Sequence, residues 1–231
     1  MTAAVAAGRT VVMATSPTVR KYARRAGFTL IELLAVIAII LILMTFLLPR
    51  ITTAIHQAKV TACRANLQQI YRDLTVYHMK HEKLPAGSGV KFFAALIADG
   101  DIENTAENAK RMSCPAVERS SLTGIAAIED PKEWYSHLDT VDGSYSAYAG
   151  RNMQQFPLRR WPGSGDDALI ADDNDPEMNH PTTTCVLWAD GSVTTIELLE
   201  LRKKGLLTED DKVLKVGPDS PDERLRKLST D

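Results

Sequence analysis

Residues Leu33 to Leu48 are sixteen consecutive apolar or small side chains, broken only by Thr45 and followed at once by Pro49 and Arg50. Counted from Phe28 the segment is 21 residues long, and its only charge is Glu32. A helix of about 20 apolar residues crosses a bilayer, so the length predicts one crossing. A carboxylate near the start of such a helix costs about 2.5 kcal/mol or more, so the chain must supply a reason for Glu32. A secretory signal supplies none. It has a shorter apolar core with a small-residue cleavage site after it, whereas Pro49-Arg50-Ile51 follows here. An ordinary membrane anchor has no use for a buried acid either. Charge sets the expected orientation. Residues 1–27 hold Arg9, Arg20, Lys21, Arg24 and Arg25 and no acid, so this end carries +5 while the whole chain carries −2, leaving −7 on the remainder. Basic residues just before a span keep that end in the cytoplasm, which places the rest of the chain outside the inner membrane. A net acidic outer part argues against nucleic acid as its partner, because phosphate binding draws on basic surface.

The flanks of the span supply the missing reason. Lys21-Tyr22-Ala23-Arg24-Arg25-Ala26-Gly27 followed by Phe28-Thr29-Leu30-Ile31-Glu32-Leu33-Leu34 resembles the processing site of type IV pilins and type II secretion pseudopilins. The resemblance covers about the first fifth of the chain. It implies cleavage after Gly27 by a prepilin peptidase and methylation of the new N-terminal Phe28. It also implies that Glu32 pairs with the Phe28 amine of a neighbouring subunit during filament assembly. The partners so implied are the peptidase/methyltransferase, other pilin-like subunits and an inner-membrane secretion platform. The function implied is that of a non-enzymatic pseudopilin, a single-pass inner-membrane subunit with its C-terminal domain periplasmic, polymerising to drive protein secretion. A second reading is a surface ligand-binding module on a pilin-type anchor, with contacts on the loops of residues 116–181, which are long for pure scaffolding.

The fold expected is α+β and pilin-like: a long N-terminal helix, transmembrane in its first half, packed on a small antiparallel sheet. Pro49 removes an amide donor and crowds the carbonyl of Thr45, which predicts a kink or a short unwound stretch. Beyond it Val60, Cys63, Leu67, Ile70, Leu74 and Tyr77 step by threes and fours, one apolar stripe on a helix reaching about His81. Lys91 to Ile97 reads as a short helix, and Asn104 to Arg111 as a further helical turn. Tyr145 to Ala149 reads as a strand, and residues 157–181 as loop. Thr182 to Trp188 and Ser192 to Leu198 form a hairpin about Ala189-Asp190-Gly191, and Leu198 to Lys204 a closing helix. The divisions are a cleaved leader (1–27), the span (28–48), an amphipathic continuation (49–82), a globular domain (83–207) and a tail (208–231). The tail holds seven acids, five bases and two prolines, which predicts mobility.

Candidate chemistry is sparse. His180 stands ten residues before Asp190-Gly191, and this H-x9-D-G spacing resembles a C-terminal signature of planctomycete-type pilin-like proteins. It predicts a structural role for His180, Asp190 and Gly191. The acid-rich loop, with Asp172, Asp173, Asp175 and Glu177, is the candidate metal site, and calcium is the cation that carboxylates on a flexible loop suit. Major pseudopilins, which the chain resembles, order a loop with calcium. Cys63, Cys114 and Cys185 allow at most one intrachain bridge, with Cys63 expected to be buried. Without a C-x-x-C pair, the spacing supports no zinc site. Neither G-x-S-x-G nor H-E-x-x-H occurs, which removes the common hydrolase signatures.

Overall fold

The computed structural model describes residues 28–174 and 176–231. The expected leader, Gly27 and Asp175 lie outside these. The chain divides into two units, with the boundary between Leu47 and Leu48. Helix α1 spans Leu30–His81, 52 residues. It is helical through Pro49, so the unwound stretch expected there is not present. One missing amide bond is a local loss that a helix of this length absorbs.

In the first unit every apolar side chain from Phe28 to Leu47 is exposed. The most apolar window of α1 has a mean hydropathy of 3.0 and no burial. An exposed apolar surface of this extent requires cover by lipid or by other helices.

In the second unit α1 buries the expected stripe: Cys63, Leu67, Ile70 and Leu74 fully, and Tyr77 almost so. They pack on a five-stranded antiparallel sheet of order β4-β3-β2-β1-β5. The strands are β1 (Tyr148–Arg151), β2 (Ala168–Asp172), β3 (Thr183–Trp188), β4 (Val193–Glu197) and β5 (Leu228–Ser229). Strand β3 shows the two-sided logic. Cys185 and Leu187 join the α1 core, while Val186 and Trp188 join a second core on the opposite face. Side chains alternate along a strand. A sheet buried on both faces therefore needs two sets of partners.

Helix α2 (Val90–Ala98) joins α1 on the first face through Phe92, Phe93 and Leu96. The second face is covered by α5 (Leu198–Lys203) and by the C-terminal segment, through Leu201, Leu207, Leu214, Leu225 and Leu228. This corrects the reading of residues 208–231 as mobile. The segment ends in β5, which adds to the edge of β1, and its leucines seal apolar sheet surface that would otherwise face water. Arg224 stacks over the Trp188 ring at 5.0 Å, and Lys227 reaches Asp167 at 2.9 Å.

Two further expectations shift. The strand read at Tyr145 to Ala149 starts at Tyr148, because Asp142 caps a 3₁₀ turn over Gly143–Tyr145 by accepting from the Ser144 amide at 2.9 Å. Strand β2 arises inside the segment read as loop. The hairpin lies where it was expected. Gly191 has φ +88, and a Cβ there would come 2.6 Å from the Tyr71 ring on α1, so the tip packs where only glycine fits.

Candidate functional site

Among the described residues, the start of α1 and the space between α1 and the sheet bring chemistry-bearing side chains together. Thr29 occupies the N-cap position, its carbonyl accepting the first helical bond from the Leu33 amide at 3.2 Å. Glu32 Oε2 accepts from the Thr29 amide at 2.8 Å and from the Thr29 hydroxyl at 2.7 Å, and Thr29 Oγ1 accepts from the Glu32 amide at 3.3 Å. This is the reciprocal capping box of the T-x-x-E pattern. The spacing was visible in the sequence, where Glu32 was read only for its charge. The acid thus has a local partner within its own chain. Phe28 lies just outside the helix, 76% exposed.

The second place is interior, between α1 and the sheet. Cys63 comes from the buried stripe of α1. Asp172 ends β2, Cys185 lies on β3, and His180 lies on the loop between those strands. All four are fully buried, and their ligand atoms lie within 4.8 Å of one another. Cys63 Sγ donates to Asp172 Oδ1 at 3.4 Å, and Asp172 Oδ2 accepts from the Cys185 amide at 2.6 Å. The Asn179 amide group adds a bond to Asp172 Oδ1 at 3.2 Å. His180 Nε2 lies 3.7 Å from Asp172 Oδ2 and 3.4 Å from Cys114 Sγ. The Tyr148 hydroxyl is 3.3 Å from Cys63 Sγ. His180 Nδ1 has no hydrogen-bond partner among the described residues. The three cysteines are free thiols. Hydrogen bonding with the Cys114 and Cys185 thiols, burial and the Asp172 charge push the Cys63 thiol far above its ordinary range. Burial pushes His180 down, against the pull of Asp172.

The cluster does not have the geometry of a Cys-His-Asp relay. Such a relay needs the carboxylate on one imidazole nitrogen and the thiol on the other. Here both face Nε2, and full burial leaves a substrate no approach. The sequence could not reveal this group, because its members stand at positions 63, 114, 172, 180 and 185 with no short motif. The fold gathers thiols that the spacing keeps apart.

The acidic loop divides. Asp172 turns inward to the cluster, whereas Asp173 and Glu177 line an open cavity of about 590 Å³ with Val117, Leu122, Ser146 and Asn179. Of the H-x9-D-G residues, His180 and Asp190-Gly191 stand at opposite ends of β3. Asp190 accepts from the Ser192 amide at 2.9 Å and closes the hairpin turn. Both ends meet α1: the His180 ring lies edge-on to His56 at 5.9 Å, and Gly191 faces Tyr71.

Comparison with known proteins bears on the first place. Residues 22–48 match the family model described as the prokaryotic N-terminal methylation motif. The chain is also similar to "Competence protein ComGC" of Halalkalibacterium halodurans, 29% identical over 112 residues. That match covers 48% of this chain and 98% of the relative. No solved structure matches.

Proposed function

We infer that this chain, a type IV prepilin-like protein, works as a pilin-like filament subunit, and we propose that its filament is the pseudopilus of a type II secretion-type system. The observation that carries the reading is the methylation motif set directly on an apolar helix with one acid at its start. Cleavage after Gly27 creates an ammonium group on Phe28, four residues before Glu32. In the membrane Glu32 is held by the Thr29 cap. In the filament it exchanges that neutral partner for the Phe28 ammonium of the adjacent subunit, because a charged pair in an apolar setting is favoured over an isolated carboxylate. The pairing sets the axial step, and the exposed apolar side chains of α1 pack against one another in the filament core. The periplasmic domain, anchored by a helix whose N-terminus is cytoplasmic, then faces outward. The prepilin peptidase and an inner-membrane assembly platform are the partners required.

The competence protein among the relatives supports a second reading, a competence-type filament. The net acidic chain beyond residue 27 favours secretion, since it offers little attraction for DNA. Deleting the gene and measuring secreted protein and DNA uptake side by side separates the two. Loss of secretion with normal uptake supports the proposal, and the converse supports the second reading. A ligand-binding role draws on the 590 Å³ cavity, which Asp173 and Glu177 line.

A further inference from the structure

We propose that Cys63, Cys185, His180 and Asp172 bind one Zn²⁺ that fastens α1 to the sheet. Zinc takes four ligands in tetrahedral array from thiolate, imidazole and carboxylate, and this set supplies two sulfurs, one nitrogen and one oxygen. Zn–S near 2.3 Å and Zn–N or Zn–O near 2.0–2.1 Å place tetrahedral ligand atoms about 3.3–3.8 Å apart. Cys63 Sγ lies 3.4 Å from Asp172 Oδ1 and His180 Nε2 lies 3.7 Å from Asp172 Oδ2, separations of that order to the two oxygens of one carboxylate, and one ligand atom from each of the four residues lies within 4.8 Å of the others. Small side-chain adjustments complete the shell.

The chemistry of the set favours zinc over calcium. Calcium takes six to eight oxygens, and this interior offers one carboxylate among thiols. The ligating nitrogen is His180 Nε2, which faces Asp172, and full burial of the ring holds it there. On binding, Zn²⁺ displaces the protons of the Cys63 and Cys185 thiols, which leave to solvent. Two thiolates and the ionised Asp172 surround the dication, with His180 neutral. Asn179 and the Cys185 amide already hold Asp172 in place, as outer partners of a metal ligand do. Cys114 Sγ lies 3.4 Å from the same His180 nitrogen but is not among the four residues whose ligand atoms all lie within 4.8 Å of one another. The four ligands come from α1, β2, β3 and the β2–β3 loop, so one ion joins a helix, two strands and a loop whose ligands stand up to 122 positions apart, between Cys63 and Cys185.

The test is a cobalt titration of the reduced, full-length protein in detergent under anaerobic conditions. Co²⁺ should bind at one per chain, with the intense visible bands of a tetrahedral ion and the near-ultraviolet thiolate charge-transfer band. Zn²⁺ should displace it, and calcium should not. Cys185→Ser should abolish the charge-transfer band or halve it with a loss of affinity of at least tenfold, while Cys114→Ser should keep the full spectrum. Absence of the tetrahedral spectrum in the native-sequence protein overturns the proposal without reference to any variant. So does an intact mass showing that the native cysteines are joined in a disulfide.

Discussion

Glu32 and Thr29 form a closed pair at the head of α1, the carboxylate accepting from both the amide and the hydroxyl of Thr29 at 2.8 and 2.7 Å. Under the proposed function the acid has two separable roles: capping the helix, and carrying charge to a neighbour. Glutamine at the third helical position caps as glutamate does, but it carries no charge. Glu32→Gln is therefore expected to insert and be processed normally, yet to assemble at least tenfold less filament. Glu32→Ala, which loses both roles, should assemble no better. The check is the yield of sheared or cross-linked polymer from membranes. Normal assembly by Glu32→Gln would leave capping as the whole purpose of the acid.

The C-terminal segment tests the second core. Leu225 is fully buried against the face of the sheet away from α1, on a turn capped by Asp222. Replacing such a leucine by alanine costs about 2–5 kcal/mol. Leu225→Ala should thus lower the melting temperature by several degrees in detergent. A tail without structural role would leave it unchanged.

That segment also marks the limit of what the chain discloses before folding. The α1 stripe was legible because Cys63, Leu67, Ile70 and Leu74 repeat at helical spacing, and the β3–β4 hairpin because Asp190-Gly191 separates two β-rich runs. The leucines at 201, 207, 214, 225 and 228 follow no period. They are fixed by the sheet they cover, so charge and proline content dominated the reading. Strand β2 was hidden for a related reason. Ala168-Leu169-Ile170-Ala171 is short, buried on both sides and flanked by acids, so it lacks the alternation of a half-exposed strand. At the N-terminus the methylation motif and the apolar helix were plain. The thiol cluster was invisible, because only the topology brings positions 63 and 185 together.

Asp167 gives the fold a predictable response to acid. Its carboxylate lies between Lys227 at 2.9 Å and the buried Arg151 at 3.2 Å. The Lys227 hydrogen bond, acting against burial and helped by Arg151, holds it below the ordinary carboxylate range. A carboxyl with a depressed native pKa contributes stability above its unfolded value, near pH 4, and loses it as pH falls through the lower native value. Asp167→Asn should therefore destabilise by about 1–3 kcal/mol at neutral pH. The gap from the parent protein should close as the pH drops below about 4. Thermal melts of both proteins across that range check the sign. A gap that widens in acid would contradict it.

Everything proposed for the filament depends on a new amino terminus at Phe28. Intact-mass measurement of the native protein extracted from membranes, with fragmentation of its first residues, tests this most directly. The account predicts a chain that begins at Phe28 and carries one N-terminal methyl group. A mature protein that retains Gly27 and residues before it would contradict the account.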